Sequence, residues 1–104
     1  MDPLPIRTTA VYRRWRAGLK DQRAVDRITA RLERLRRGLA GDVAPVGHGV
    51  SELRVHYGPG YRVYFVQRNG VLIVLLCGGD KASQKADIRM AHALADDPEA
   101  ADGA

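Results

Sequence analysis

Two neighbouring segments of the chain combine side chains that bind phosphate with side chains that transfer protons. Across residues 51–66, Arg54, His56, Arg62 and Tyr64 alternate with apolar residues. The planar guanidinium of arginine binds phosphate through two parallel hydrogen bonds, and histidine titrates near neutral pH. The types and spacing of these residues therefore indicate phosphate binding beside a group that can move a proton.

The alternation predicts a hairpin of two strands, Ser51–Tyr57 and Tyr61–Val66, because successive side chains of a strand point to opposite faces. A two-residue Gly58–Pro59 turn would mix polar and apolar side chains on one face. A three-residue loop, residues 58–60, keeps the faces matched. This register sets each residue of one strand opposite a fixed partner: Tyr57 opposite Tyr61, His56 opposite Arg62, and Arg54 opposite Tyr64.

The N-terminal part of the chain has the pattern of a short strand followed by two helices. Ile6–Thr9 is the candidate strand, and apolar residues then recur at helical spacing at Tyr12, Trp15 and Leu19. Asp21 is a candidate N-cap for the second helix, which glycines at 38 and 41 end. The second helix has an apolar stripe of Val25, Ile28, Leu32, Leu35 and Leu39, and a basic stripe of Arg23, Arg27, Arg31 and Arg34. Two such helices predict an antiparallel pair that lies on a sheet.

The C-terminal part has the pattern of a loop, a hairpin strand and a final helix. Residues 42–49 have loop composition, and Asn69–Gly70 is typical of a type I′ hairpin turn. Val71–Cys77 is apolar throughout, which predicts a strand covered on both faces that ends at Gly78–Lys81. The last helix begins near Ser83, with three inward residues: Ile88, Ala91 and Leu94. The predicted fold is α+β, in the order β-α-α-β-β-β-α, with a small, mostly antiparallel sheet.

The charge of the chain is concentrated at its N-terminus. The 104 residues carry a net charge of +5. Residues 1–40 have a balance of +7, residues 41–81 of +1, and residues 82–104 of −3. Arginine outnumbers lysine 14 to 3, which favours a phosphate-bearing partner such as nucleic acid. We expect one domain over residues 1–95 and an acidic, disordered tail over residues 96–104.

Several classes of protein are excluded or disfavoured by composition. A single cysteine, Cys77, cannot form an internal disulfide or a cysteine-based zinc site. No apolar run approaches the roughly 20 residues of a membrane helix, and the N-terminus lacks the pattern of a signal peptide. We therefore expect a cytoplasmic protein that does not bind membranes.

Three strings of residues carry a resemblance to a known family. They are Glu52–Leu53–Arg54, the segment Gly58–Phe65 that reads GPGYRVYF, and Gly78–Gln84 that reads GGDKASQ. With the preceding helical pair, their order and spacing resemble the "addiction module killer protein" branch of the RelE/ParE toxin superfamily, the HigB-like toxins. The resemblance implies the microbial ribonuclease-like α+β fold, and a partner antitoxin that is usually a small helix-turn-helix protein.

The resemblance also implies an activity, with alternatives. Most members bind the ribosome and cut mRNA, without metal or other cofactor, so we expect a ribosome-dependent endoribonuclease that inhibits translation. The ParE lineage instead inhibits DNA gyrase without nuclease chemistry. A non-catalytic RNA-binding module is a third possibility.

The family's functional positions map onto named residues of this chain. Arg54, Arg62 and Lys81 match its catalytic basic positions, and His56, Tyr64, Gln84 and Lys85 are the expected substrate contacts. Either Lys81 or His56 is the candidate for proton transfer, because arginine stays protonated in proteins. Nearby cations are expected to lower the pKa of Lys81. Tyr64 is expected to stack on a base or to position a phosphate, whereas the resemblance assigns no clear role to Glu52.

The basic stripe of the second helix has three interpretations. Arg23, Arg27, Arg31 and Arg34 could dock to ribosomal RNA through salt-sensitive contacts. They could also bind an acidic segment of the antitoxin, or form a solvated helix face.

Overall fold

The computed structural model describes residues 2–100, which form one five-stranded sheet with helices on both faces. Along the chain the elements are β1 (Ile6–Thr8), α1 (Ala10–Ala17), α2 (Gln22–Arg36), β2 (Val43–Gly47), β3 (Val50–Val55), β4 (Tyr61–Arg68), β5 (Leu72–Asp80), a 3₁₀ turn (Lys81–Ser83) and α3 (Gln84–Asp96). The strands lie in the order β1-β5-β4-β3-β2, and only β1 and β5 run parallel. The predicted α+β class is confirmed.

The sheet is covered on both faces, which explains the uniformly apolar strand β5. Ile73 and Leu75 pack with the side chains of α1 and α2, while Val74 and Leu76 pack on the opposite face with α3. Burying both faces removes apolar area from water, at about 25 cal/mol per Å². The helical pair and the last helix therefore enclose two core layers around one sheet.

Helix α2 begins where the sequence predicts and ends earlier. The Asp21 carboxylate accepts hydrogen bonds from the backbone N–H groups of the first turn, which stabilises a helix start. The helix ends at Arg36, and Gly38 follows with a φ of +86°, a conformation that glycine adopts without strain. Leu39 therefore lies outside the helix and is 64% exposed, so its predicted place in the apolar stripe is wrong.

The sequence prediction missed an edge strand. Residues 42–49 were expected to be a loop, but Val43–Gly47 forms β2 and pairs with β3. Pro45 hides the strand in the sequence, although an edge strand tolerates proline because one side of its backbone needs no partner. A register shift between Pro45 and Gly47 also breaks the alternation. The observed order is β-α-α-β-β-β-β-α, one strand more than predicted.

The register of the β3–β4 hairpin differs by two residues from the predicted one. Val55 lies opposite Tyr61 and Arg54 lies opposite Arg62, so the connection spans residues 56–60. Tyr57 lies outside the strand, and its hydroxyl donates to the Asp21 carboxylate at 2.9 Å. Since a shift of two preserves the faces of a strand, the polar residues still share one face. The Asn69–Gly70 turn agrees with the prediction, because both residues have positive φ.

Strand β5 continues through the glycines that were expected to end it. Gly78 lies opposite Val63 and Gly79 lies opposite Arg62. A Cβ atom on Gly78 would lie 2.3 Å from the Trp15 ring, and one on Gly79 would lie 1.8 Å from a carboxylate oxygen of Asp87. The glycines therefore allow α1 and α3 to approach the strand closely rather than forming a turn.

Helix α3 ends at Asp96, where the sequence predicts the start of a tail, and the backbone N–H of Ala100 donates to the carbonyl of Asp97. Residues 101–104 of that predicted tail lie outside the described residues. Within residues 2–100, no helix has the length and apolar character needed to cross a membrane.

Candidate functional site

The polar side chains singled out in the sequence meet on the sheet face that α3 covers, next to the start of that helix. Arg54 on β3 and Arg62 on β4 are direct cross-strand partners. Gly79 is the next residue in the same row, on β5, and it has no side chain to fill the space beside Arg62. The amide of Gln84, the first residue of α3, reaches the same point of the sheet.

A buried glutamate holds this cluster together. Glu52 on β3 is 0% exposed. One of its carboxylate oxygens accepts from Arg54 Nε at 2.9 Å and from Arg62 Nη1 at 3.2 Å. The other accepts from the Tyr64 hydroxyl at 2.9 Å and from Gln84 Nε2 at 2.7 Å. We call Glu52 and these four donors the Glu52 cluster.

The environment of Glu52 keeps it ionised. Burial opposes the charged form, but hydrogen bonds from Arg54, Gln84 and Tyr64 and the charge of Arg62 outweigh it and hold the pKa of Glu52 below its usual value. A carboxylate that already accepts four hydrogen bonds is a poor proton acceptor. Glu52 therefore orients the two guanidinium groups and does not act as a base.

The two arginines retain donors that can meet an anion. The Arg54 side chain is 36% exposed and the Arg62 side chain is 12% exposed. Two guanidinium charges face the single charge of Glu52, and the carboxylate of Asp42 lies 3.5 Å from Arg54 on the outer side of the cluster. Within the described part of the chain, the buried Nε of Arg62 has no hydrogen-bond partner. The two arginines are cross-strand partners whose Cα atoms lie about 5 Å apart, and both guanidinium groups bind the same oxygen of Glu52, an arrangement that suits one phosphate group.

Tyr64 and Gln84 support the cluster from within the protein. Tyr64 is 0% exposed, and its burial and its hydrogen bond to Glu52 raise the pKa of its hydroxyl. The expectation that Tyr64 stacks on a base is therefore wrong, because no nucleotide can reach the ring. Gln84 was expected to contact substrate, but its amide donates to Glu52.

His56 lies in the β3–β4 connection, beyond the end of β3, and not opposite Arg62 as predicted. Its side chain is 75% exposed, and its Nε2 lies 2.5 Å from Oδ2 of Asp42. The hydrogen bond from His56, with the nearby charge of Arg54, outweighs partial burial and lowers the pKa of Asp42. The other oxygen of Asp42 lies 3.5 Å from Arg54 Nη1, so this acidic residue joins His56 to the Glu52 cluster.

Lys81 and Lys85 are exposed on either side of Gln84. A Cβ atom on Gly60 would lie 3.5 Å from Cβ of Lys81, which places this lysine against the β3–β4 connection. Together with Arg89, the two lysines line a shallow surface depression of about 370 Å³ at the start of α3. No salt bridge engages Lys81 within residues 2–100.

The basic stripe of α2 divides into structural and exposed members. Arg31 is half-buried and donates to the backbone carbonyls of Arg54, of Ala40 at 3.1 Å and of Asp42 at 3.4 Å. The interpretation of Arg31 as a docking residue is therefore wrong, because its guanidinium ties α2 to the strands. The other three arginines are exposed, and the Arg27 guanidinium lies 4.8 Å from the centre of the Tyr57 ring. A groove of about 300 Å³ is lined by Arg27, Ala30, Arg31, Arg34, Val55 and His56.

Two residues of the site were not assigned a place in it from the sequence. Glu52 has a signal there, since it alternates in phase with Arg54 and must share its face. Asp42 has none, because it precedes a strand that the sequence did not reveal. Within residues 2–100, no group of three or more histidine, cysteine or acidic side chains is arranged to hold a metal ion.

Three comparisons relate the chain to known proteins. A family model described as "Phage derived protein Gp49-like (DUF891)" matches residues 19–96. An uncharacterized protein of Haemophilus influenzae is 48% identical over 92 residues, which cover 88% of this chain and 93% of that protein. A chain from the crystal structure of the toxin–antitoxin complex RelBE2 of Mycobacterium tuberculosis aligns with a TM-score of 0.60 and 19% identity, over 77% of this chain and 100% of that one. The last likeness shows a shared fold.

Proposed function

The chain belongs to the Gp49-like family of phage-derived proteins, and we propose that it is the toxin of a toxin–antitoxin pair that cleaves mRNA on the ribosome. The observation that carries the proposal is the pair of arginines that Glu52 holds on adjacent strands. The fold shared with a chain of a toxin–antitoxin complex supports the toxin role. The ELR, GPGYRVYF and GGDK strings support the HigB-like branch.

The proposed reaction is attack of a ribose 2′-hydroxyl on the adjacent phosphodiester. The bond from O2′ to phosphorus forms and the bond from phosphorus to O5′ breaks, which leaves a 2′,3′-cyclic phosphate and a 5′-hydroxyl. Arg54 and Arg62 bind the non-bridging oxygens and stabilise the charge that develops on them. The ammonium of Lys81 donates the proton that O5′ requires. No metal or other cofactor takes part in this scheme.

The proposal assigns docking to the exposed arginines of α2. Arg23, Arg27 and Arg34 project from one helix, and we assign them to phosphates of ribosomal RNA. Each lysine or arginine that neutralises a phosphate releases counterions, so affinity for the ribosome should fall steeply with salt. Lys85 extends the basic surface towards mRNA. A cognate antitoxin, a small helix-turn-helix protein, would neutralise the toxin in the cytoplasm.

Mapping mRNA 5′ ends in cells that express the protein tests this function. We expect new 5′-hydroxyl ends inside coding regions, dependent on translation, and none with Arg62→Gln. Arg7→Gln is the matched control, because Arg7 is exposed on β1, away from the Glu52 cluster. Growth arrest without new mRNA ends, together with loss of supercoiling by purified gyrase, would instead identify a gyrase inhibitor.

A further inference from the structure

We propose that His56 is the catalytic base of this site and that Asp42 is the positioning residue that holds its ring. The inference rests on the proposed ribonuclease function and names the group that removes the 2′-hydroxyl proton. It follows from the contact between the two side chains, their attachment to the Glu52 cluster and their exposure to solvent.

The contact fixes which nitrogen of His56 can accept a proton. The Asp42 carboxylate lies 2.5 Å from Nε2, and an ionised carboxylate can only accept a hydrogen bond. Nε2 of the neutral ring therefore carries the proton, and Nδ1 keeps a free lone pair. A carboxylate holds the second nitrogen of a catalytic histidine in many acid–base sites, because it orients the ring and stabilises the protonated form.

Asp42 is itself held in place by its main chain and by its second oxygen. Its carbonyl accepts from the backbone N–H of Arg54 at 3.0 Å and from Arg31 Nη2 at 3.4 Å. Its Oδ1 lies 3.5 Å from Arg54 Nη1. A movement of Asp42 would therefore disturb the arginine that is assigned to the phosphate. This coupling connects His56, through Asp42, to Arg54.

Four other titratable side chains of the described residues are unsuited as the base. Glu52 already accepts four hydrogen bonds, and Tyr64 is wholly buried. His48 and His92 stack on each other with ring centroids 4.1 Å apart, at the other end of β3. The 3.3 Å rise per residue of a strand separates that end from His56 by roughly 20 Å.

The strand register sets the proposed base and acid beyond the same end of the arginine pair, on the two strands that flank β4. Val55, Tyr61 and Asp80 lie in one row across β3, β4 and β5. His56 follows this row on one outer strand, and Lys81 follows it on the other. Because adjacent strands lie about 4.8 Å apart, the ends of β3 and β5 from which these two residues follow are separated by roughly 10 Å. A phosphate bound by the arginines would therefore have the proposed proton acceptor and the proposed donor at one end of the site.

The step then balances with residues of this chain alone. The 2′-hydroxyl proton moves to Nδ1 of His56 as O2′ bonds to phosphorus. The bond from phosphorus to O5′ breaks, and O5′ takes a proton from the Lys81 ammonium. The imidazolium and the neutral amine return to their starting forms by exchanging one proton through solvent.

Single-turnover cleavage of mRNA on preassembled ribosome complexes, from pH 5.5 to 8.5, tests the inference. Asp42 and the arginines around His56, at positions 27, 31, 34 and 54, keep their charges in this range. For the wild type we therefore expect a rate that rises with pH, as removal of the 2′-hydroxyl proton by a base requires. His56→Gln should lower the rate on the order of 10²–10⁴-fold and remove the rise. Asp42→Asn should lower the rate less than His56→Gln and alter the pH profile, because the amide no longer places a negative charge beside the ring.

The second histidine–aspartate pair of the chain provides a matched control. His48 Nδ1 lies 3.5 Å from Asp96 Oδ2, and both side chains are more than half exposed. His48→Gln and Asp96→Asn should therefore leave rate and pH profile unchanged. Ribosome binding and thermal unfolding, measured for every variant, exclude loss of fold. If the wild type cleaves and His56→Gln keeps its rate and pH profile, the assignment of the base is wrong and the nuclease function stands. If the wild type does not cleave, the function and the inference both fail.

Discussion

Replacing Glu52 by glutamine removes the negative charge that two arginines share, while nearly preserving the shape of the side chain. Glu52 is 0% exposed and the Arg62 side chain is only 12% exposed, so water cannot replace the lost charge. Removing one partner of a buried ion pair costs about 3–5 kcal/mol, because the remaining charge stays buried and uncompensated. Small domains have stabilities of about 5–15 kcal/mol. Glu52→Gln should therefore remove a large part of the stability of this protein.

A surface glutamate with the same two kinds of contact provides the control. Glu33 binds Arg36 at 3.3 Å and Arg37 at 3.1 Å, but its side chain is 48% exposed. Exposed ion pairs contribute about 0–1 kcal/mol, so Glu33→Gln should change stability little. Urea denaturation at pH 7 measures both variants, with equal m-values as the check on two-state unfolding. Equal losses for the two variants would refute the argument that burial makes Glu52 the organising residue.

The stability difference between the wild type and Glu52→Gln should depend on pH in a defined direction. The pKa of Glu52 is lowered in the folded protein from an ordinary value of 4.5. Its contribution to stability is therefore fully present above about pH 4.5 and is lost as the pH falls through the lower folded value. The stability difference between wild type and Glu52→Gln should be constant from pH 6 to 8 and should shrink below about pH 4.5. A difference that grows on acidification would contradict the assignment of an ionised Glu52.

Three further predictions concern the parts around this carboxylate. Gly79→Ala should destabilise the protein by about 1–3 kcal/mol in thermal unfolding, since its new methyl would lie 1.8 Å from an oxygen of α3. Gly18→Ala should leave the stability unchanged in the same measurement, because the nearest atom lies 3.5 Å away. Tyr64→Phe should lower the free energy of unfolding, measured by urea denaturation, by about 1.5–3 kcal/mol and should reduce mRNA cleavage. An unchanged stability would show that the hydrogen bond from Tyr64 to the buried carboxylate contributes nothing. Leu35→Ala should lower the free energy of unfolding by about 2–5 kcal/mol, whereas Leu39→Ser should change it by no more than about 0.5 kcal/mol. The reverse ranking would place Leu39 in the core.

The sequence predicted those parts of the fold that are dictated by periodicity. The Asp21 cap, most of the apolar stripe of α2 and the apolar run Leu72–Cys77 of β5 each follow from local rules, and the structure confirms them. Strand β2 could not be predicted from periodicity, because proline and a register shift remove the alternation of its side chains. The predicted hairpin register is wrong because it keeps Tyr57 in the strand, whereas the Tyr57 hydroxyl binds the distant carboxylate of Asp21 and the connection spans five residues.

The candidate site shows the same division between local and long-range information. Alternation correctly placed Arg54, Arg62 and Tyr64 on one face of the sheet. It gave no indication that Tyr64 is buried, since that depends on how α3 covers the face. Long-range contacts likewise gave Arg31 a structural role and joined Asp42 to His56. The sequence thus predicted which residues share the face, and the structure adds which of them an RNA phosphate could reach.

The central claim is that Arg54 and Arg62 bind the phosphate at which mRNA is cut. It is tested most directly by single-turnover cleavage of a defined mRNA on purified ribosomes, at a toxin concentration that saturates binding. Removing one donor that stabilises developing charge typically costs about 10²–10³ in rate, so we predict a loss of that order for Arg62→Gln and none for Arg7→Gln. Cleavage by Arg62→Gln at the wild-type rate would contradict the claim.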